Sequence, residues 1–561
     1  MASHIDGTGP LPQGPLPQGP LHALLDSAVE RFGARPALDF LGRRTTYAEL
    51  GALVDRAAVG FQQLGVRKGT RVGLCLPNTP YYVICYYAVL KAGGIVVNYN
   101  PLYVERELAH QIEDSGTTLM VTLDLRQIYP KVAAQLDTTC LERIIVCPLA
   151  GVLPPTKSLL FSVLKRSEVA DIPDDLRHVP FAKLVAAAGV PAPVAIDPAR
   201  DVAVLQYTGG TTGVPKGAML THGNLTANAA QLVRWLPDAR PGEERIMGVL
   251  PFFHVFAMTV VLNLGVALGL EIILLPRFEL RQVLKCMARK QPTLFPGVPT
   301  LYTALADAAE KGGQDMTHIR FCISGGAPLP VELKARFESL TGCALVEGYG
   351  LTEASPVATC NPLGGLVKAG SIGIPLPGTT VELRDPVDPQ VAVPRGEKGE
   401  ICIRGPQVMA GYWNRPEETA RTILPDGMLR TGDIGVVDED GYIFLVDRIK
   451  DVILAGGYNV YPRMIEEALY QHPAVAEAVV IGIPDAYRGQ APKAFVRLRD
   501  GAEATPEELR AHLSGHVSRI EMPKDIEIRD ELPKTMVGKL SKKELVAEEL
   551  ARHAAAPPQS A

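Results

Sequence analysis

Helical stretches alternate with short apolar runs through most of this chain, and that alternation constrains the fold more than any other feature. Tyr81 to Ala92 reads as a helix ahead of Gly94-Ile95-Val96-Val97, and Leu301 to Glu310 reads as another ahead of Ile319 to Ser324. Strands that alternate with helices build parallel sheets covered by those helices. The pattern runs to about Val446, and a chain of 561 residues exceeds the roughly 250 to 300 at which one core stops growing. The expectation is an α/β protein of at least two domains, with a large N-terminal domain of helix-covered sheets over residues 21–447.

The last stretch differs. Arg463 to Gln471 is a short helix entered through Pro462, and Val475 to Ile483 and Lys493 to Leu498 read as strands. Thr505-Pro506-Glu507-Glu508 resembles a capping box with proline at the first helical position, opening a helix to about Leu513. This is a small α+β domain over residues 448–550. The charged run Asp447 to Asp451 lies between two strand-like segments and suits a hinge. Residues 1–20, with their PLPQG repeat, read as a flexible tail, and 551–561 as a frayed one.

Charge and cysteine usage narrow the function classes. Lysine plus arginine number 56 and aspartate plus glutamate 61, a net charge of -5, which argues against nucleic acid as the main partner. The nine cysteines are scattered singly with no Cys-x-x-Cys pair, so they read as reduced core thiols of a cytoplasmic protein. The N-terminus lacks the basic start and apolar core of a signal peptide. Phe256 to Pro276 approaches the ~20 residues of a membrane span, but Asn263, Gly265, Gly269 and Glu271 break it into a core helix and a buried strand. Pro154 to Arg166 mixes apolar and basic side chains. It reads as a solvated connecting loop with one buried face, and peripheral contact with the inner face of a membrane is its alternative. The sequence leaves oligomeric state open, a homodimer included.

The strand Val202 to Tyr207 runs into Thr208-Gly209-Gly210-Thr211-Thr212-Gly213-Val214-Pro215-Lys216-Gly217. Glycines let backbone N–H groups approach an anion, threonines add donors and lysine adds charge, so the composition suits a polyphosphate. It is not a Walker loop, which would need glycine at Pro215 and serine or threonine at Gly217. By itself such a string is also a plain flexible turn.

Its company decides. YTGGTTGVPKG resembles the AMP-binding signature of the adenylate-forming superfamily. Four further strings follow in that family's order: Glu347-Gly348-Tyr349-Gly350-Leu351-Thr352-Glu353, Thr431-Gly432-Asp433, Asp447-Arg448-Ile449-Lys450-Asp451 continuing to Gly456-Gly457-Tyr458-Asn459, and Pro533-Lys534-Thr535-Met536-Val537-Gly538-Lys539. Three segments, beginning at Val97, Gly405 and Gly457, look most like bacterial long-chain fatty-acid-CoA ligases. The resemblance covers roughly residues 25 to 550.

It implies a two-step ligase that uses ATP, Mg2+ and coenzyme A, with a small mobile C-terminal domain. A carboxylate and ATP give acyl-adenylate and pyrophosphate, then coenzyme A displaces AMP. By resemblance, Thr208, Gly209, Gly210, Thr211, Thr212 and Lys216 hold the triphosphate. Glu353, helped by Thr208, places magnesium on it, and Thr352 contacts the α-phosphate. Gly325, Gly326, Ala327, Pro328 and the strip Glu347, Gly348, Tyr349, Gly350 surround adenine, with Tyr349 stacked on it. Asp433 accepts from the ribose hydroxyls, and Arg448 helps hold ribose or phosphate. Lys539 is the adenylation catalyst, carried in by the small domain, and Lys450 is the pivot. Gly456, Gly457, Tyr458 and Asn459 border the pantetheine path.

Pro251 to Thr259 matches the family's acyl-site motif, with His254 near the carboxylate and Phe256, Ala257 and Met258 along an apolar channel. No aspartate stands there to pair a substrate ammonium, whose unpaired burial would be costly. The expected substrate is therefore a plain carboxylic acid, a medium- or long-chain fatty acid, with aryl acids as the nearest competitor and an acyl-AMP ligase as the alternative that stops at the adenylate. The chain departs from the family at Arg519-Ile520-Glu521-Met522-Pro523-Lys524, where glutamate replaces a base beside the expected coenzyme A approach.

Overall fold

The computed structural model describes residues 4–6, 15–17, 19–208, 215–312, 314–455, 458–485, 488–535 and 539–555. Two sheets dominate the large domain. The seven-stranded one runs Lys216–Thr221, Val202–Thr208, Ile95–Asn98, Arg71–Cys75, Leu119–Leu123, Arg143–Cys147, His178–Pro180. It is parallel except for the first pair. The nine-stranded sheet is parallel across its six central strands, Ala344–Gly350, Phe321–Ser324, Leu294–Gly297, Arg245–Gly248, Glu271–Leu274 and Pro36–Phe40, and antiparallel at both ends.

The helix Pro80–Lys91, PYYVICYYAVLK, has no polar face, and every residue before Lys91 is buried. A helix apolar all round has to lie inside a core. Here it lies between the sheets: the Tyr82 hydroxyl oxygen is 2.7 Å from Asn98 Oδ1 at the end of one sheet's strand and 2.8 Å from the Phe252 carbonyl oxygen beyond a strand of the other, and its one proton serves either acceptor. Phe256 to Pro276 is likewise internal, a run of helical turns ending at Gly269, whose φ of +69° stops the helix before the buried strand Glu271–Leu274. Among the described residues no helix is long and apolar enough to cross a membrane.

A third, antiparallel sheet of His4–Asp6, Thr380–Arg384, Gly399–Arg404, Leu429–Val437 and Ile443–Arg448 leads to the hinge. The short turn Ile449–Asp451 separates it from the small domain. There the strands Val475–Asp485 and Gly489–Leu498 pair antiparallel, and Asp525–Ile528 runs parallel to the second. Alternation along the first strand sends Ala478 and Val480 to the helices Pro462–Tyr470 and Pro506–Leu513, and Val479 and Ile481 to the other face, which Leu545 of the helix Lys542–Ala555 covers. The capping box at Thr505 is present, with both of its hydrogen bonds.

Three expectations are corrected. Residues 1–20 are not all a loose tail: His4–Asp6 extends the third sheet, Arg234 donates to the Pro15 carbonyl and Thr226 to that of Gly19. The C-terminal helix continues past 550 to Ala555. The segment at 154–166 is not a loop with a buried face. Pro155–Leu164 is an α-helix with no buried residue, because only Ser158 and Phe161 turn partly inward.

Candidate active site

Parallel strands end at one rim of each sheet, and the loops that follow them are where an open α/β fold binds ligands. Thr208 ends its strand there, Ser324 leads into Gly325-Gly326, and Gly348 to Gly350 close the strand from Ala344. Gly350 has to be glycine, because a Cβ would sit 1.9 Å from the Pro356 carbonyl oxygen. Gly209 to Thr212 lie outside the described residues, as do Gly456 and Gly457.

Tyr349, Asp433 and Arg448 form one connected group. The Tyr349 hydroxyl donates to Asp433 Oδ2 at 2.6 Å, and Arg448 Nε lies 3.0 Å from Asp433 Oδ1. Register explains the second contact, since Asp433 and Arg448 are direct partners on neighbouring antiparallel strands. Asp433 is buried and Arg448 half-exposed. Glu347, two residues before Tyr349, is buried, and that burial pushes its carboxyl up to about 7 against the pull of Arg463.

Glu353 lies in the turn Thr352–Ala354 beside the strand Lys216–Thr221. The Tyr412 hydroxyl donates to its Oε1 at 2.6 Å, and its carbonyl accepts from the Met409 amide. Among the described residues no group of three or more His, Cys, Asp or Glu could cage a metal ion. A single carboxylate is what a magnesium site completed by phosphate oxygens asks of the protein. Lys216 meanwhile pairs with Glu418 and lies over the Tyr412 ring.

The acyl-site motif is held from behind by polar groups that sequence reading missed. Asn78 donates to the carbonyls of Gly248 and Leu250 and accepts from the Phe252 amide. Gln206 accepts from Asn98 and donates to the Phe253 carbonyl. Each looks like an isolated polar residue in an apolar run, and only their convergence shows what they do. His254 Nδ1 accepts from the Phe256 amide, so its proton sits on Nε2. Burial, then the charge of Lys539, lowers His254 to about 3, so the ring stays neutral near pH 7. The Phe256 ring lies against Gly325. Ala257 and Met258 are fully buried, the Met258 sulfur 3.4 Å from Asn98 Nδ2.

Lys539 is inside the site. Its Cε and Nζ lie 2.6 and 3.1 Å from where a Cβ on Gly326 would be, and Gly326 has φ +80°. Desolvation, then Arg448, draws its ammonium down to about 8. Gly326→Ala should therefore both strain the backbone, by about 1–2 kcal/mol, and push the lysine aside. Adenylate formation by this variant is expected to fall at least tenfold while its melting temperature changes by a few degrees, as read by pyrophosphate exchange and calorimetry.

Not every candidate is gathered there. Tyr458 and Asn459, in the strand Tyr458–Val460, are exposed. In the divergent segment Glu521 folds back to accept from Ser518, and Lys524 pairs with Asp485 at 2.8 Å, so both are already engaged.

The large domain thus supplies the glycine turn and the Tyr349–Asp433–Arg448 group, and Lys539 of the small domain lies over that turn. The family model for AMP-binding enzymes matches residues 25–413, and that for the AMP-binding enzyme C-terminal domain matches 464–539. The chain belongs to the AMP-binding enzyme family. It is 45% identical over 539 residues to a long-chain-fatty-acid–CoA ligase of Bacillus subtilis (strain 168), covering 95% of each chain. To a feruloyl-CoA synthase of Amycolatopsis sp it is 37% identical, covering 90% of this chain and 94% of that one. It superposes on ATP-bound MatB from Rhodopseudomonas palustris with a TM-score of 0.83 at 30% identity, covering 95% and 99% of the two chains.

Proposed function

We propose that this protein converts a medium- or long-chain fatty acid to its coenzyme A thioester through an acyl-adenylate, releasing pyrophosphate and AMP. The observation that carries the reading is the likeness, over 95% of both chains, to a long-chain-fatty-acid–CoA ligase. The uncharged acyl-site loop agrees with it, since Phe256, Ala257 and Met258 leave nothing to pair a substrate ammonium.

No side chain need act as a nucleophile, so catalysis is positioning and charge stabilisation. The neutral His254 donates from Nε2 to the substrate carboxylate. Tyr349 offers its ring to adenine, while Asp433 accepts from ribose and keeps Arg448 in place. Lys216 exchanges Glu418 for phosphate oxygens, with the loop from Thr208 to Thr212. Lys539 opposes the charge that builds on the α-phosphate, and Thr352 donates to the same phosphate. Glu353, which accepts from Tyr412, would hold magnesium, and the ion would supply charge neutralisation at the phosphates. Lys450 is the pivot for the second step, and Gly456 to Asn459 border the thiol's path.

Incubation with ATP, magnesium and a panel of fatty, aryl and amino acids, with and without coenzyme A, tests the reading by mass spectrometry. Acyl-CoA and AMP, peaking at one fatty chain length, support it. Each methylene that enters the channel adds about 0.8 kcal/mol, so the peak measures channel length. A preference for aryl acids, or adenylate that accumulates whether or not coenzyme A is present, overturns it.

The exposed helix Pro155–Leu164 favours a second partner, an anionic membrane surface. Leu159, Leu160, Val163 and Leu164 are 57 to 69% exposed on one side, with Lys157, Lys165 and Arg166 around them. Each basic group near such a surface contributes about 1 kcal/mol, and inserted leucines add to that. Leu160→Glu with Val163→Glu is expected to lower co-sedimentation with phosphatidylglycerol vesicles at least tenfold and to leave octanoyl-CoA formation unchanged. Unaltered sedimentation overturns membrane contact. A dimer that the double variant splits, read by analytical ultracentrifugation, makes a second copy the occupant instead.

A further inference from the structure

A lysine that enters the site with the small domain needs that domain held in place, and the hinge contains a group suited to hold it. Asp447 is the last residue but one of the strand Ile443–Arg448, on the large-domain side of the turn Ile449–Asp451, and it is 5% exposed. Its Oδ1 accepts from the Arg448 amide at 2.7 Å, and its Oδ2 accepts from the Arg463 amide at 2.9 Å. Arg463 is the second residue of the small domain's first helix, Pro462–Tyr470, whose N-cap residue, Tyr461, makes no side-chain cap. The first N–H groups of a helix have no partner within it, and an oxygen acceptor normally comes from the N-cap side chain. Here that acceptor comes from across the hinge.

The charge of the same carboxylate also acts on Lys542, three residues after Lys539. Lys542 Nζ lies 3.1 Å from Glu466 Oε1, one turn along the capped helix. Burial works against the charge on Lys542, but Glu466, Asp447 and Asp451 together outweigh it and hold the ammonium above its ordinary value. Arg463 itself donates from Nε to Glu467 and acts on the buried Glu347, two residues before Tyr349. Asp447 thus lies between the strand that ends in Arg448 and the two small-domain pieces, helix and lysine turn, that fix where Lys539 goes.

We propose that Asp447 is a positioning residue whose carboxylate clasps the small domain in the orientation that puts Lys539 over Gly326. Both small-domain partners, the Arg463 amide and Lys542, lie beyond the pivot, so rotation at Lys450 breaks the clasp. The clasp serves the first half-reaction and is released for the second. This rests on the reading of Lys539 as the group that serves adenylation. Ionised, both oxygens accept an amide and the charge attracts Lys542; protonated, one oxygen becomes a donor and that attraction is gone. Burial pushes Asp447 up to about 6, with Lys542 and the Arg463 amide opposing and Glu466 adding to the rise. Its two amide donors are those of Arg448 and Arg463, the charged side chains acting on it are Lys542 and Glu466, and the clasp loosens as pH falls through about 6.

Pyrophosphate exchange with fatty acid and ATP reads the first half-reaction, and thioester formation from synthetic acyl-adenylate and coenzyme A reads the second. Asp447→Ala and Asp447→Asn are expected to lose about tenfold in the first, the size of one lost helix cap, with the ATP KM nearly unchanged and the second half-reaction unchanged or faster. The fall in exchange below pH 6 should be missing from Asp447→Asn. Lys542→Met, which leaves the hinge strand intact, should show the same split and covers the case in which an Asp447 variant fails to fold. Wild-type exchange in these variants, or equal loss of both half-reactions, overturns the clasp. A Lys539→Ala control that keeps exchange would instead overturn the role of the lysine, so the two failures are distinguishable.

Discussion

Lys539→Ala is expected to slow acyl-adenylate formation by about 10²- to 10³-fold, the usual loss when one pre-placed charge-stabilising group is removed. Thioester formation from supplied acyl-adenylate should survive. The reason is geometric: the ammonium lies over Gly326, near enough to Arg448 to feel its charge, and belongs to the small domain, which on the proposed function leaves for the second step. The pH dependence follows from its surroundings. Desolvation, then Arg448, lowers the lysine to about 8, so it is charged and active below that value and loses its charge as pH rises through it. Pyrophosphate exchange should therefore decline above pH 8 in the wild type, and Lys539→Arg, whatever its rate, should move that limb beyond the measurable range. Equal loss of both half-reactions in Lys539→Ala would sink this division of labour.

Asp433→Ala should have the next largest effect, this time on nucleotide affinity. Its two oxygens accept from Tyr349 and pair with Arg448, so truncation releases both groups and, on the proposed function, removes the ribose acceptor. Losing a hydrogen bond that involves a charged group costs about 1.5–3 kcal/mol. That is roughly a 10- to 150-fold rise in the ATP Kd. Arg448 is half-exposed and can turn to water, so stability should fall by only about 1 kcal/mol. Isothermal titration with a nonhydrolysable ATP analogue, set beside a thermal melt, separates the two. Unchanged affinity would remove Asp433 from the nucleotide site.

Much of the candidate site was legible because its residues are written in contiguous strings. The strand that ends at Thr208, the turn after Ser324, and Tyr349 with Glu353 each combine a local backbone shape with a reactive side chain within a few residues. The small domain was legible for a similar reason, since the capping box at Thr505 and the alternation along Val475–Asp485 are local signals. Asn78, Asn98 and Gln206 were not, because a polar residue inside an apolar run is uninformative until its partner, in Gln206's case 47 residues away, is known. The helix Pro155–Leu164 was misread for the converse reason: an apolar stripe predicts burial, and nothing local says that the neighbouring surface offers no cover.

By itself, then, the sequence determined the alternation of helices with strands, a large and a small domain, the family and the strings that are candidates to touch a nucleotide, since all of these depend on spacing along the chain. Only the tertiary structure decided that Tyr349, Asp433 and Arg448 form one group, that Tyr412 orients Glu353, that Lys216 rests on Glu418, and that Asp447 reaches across the hinge to a helix it does not belong to. Those pairings depend on sheet register and domain orientation, which are set by the packing of whole faces against one another and leave no trace in any short stretch of residues.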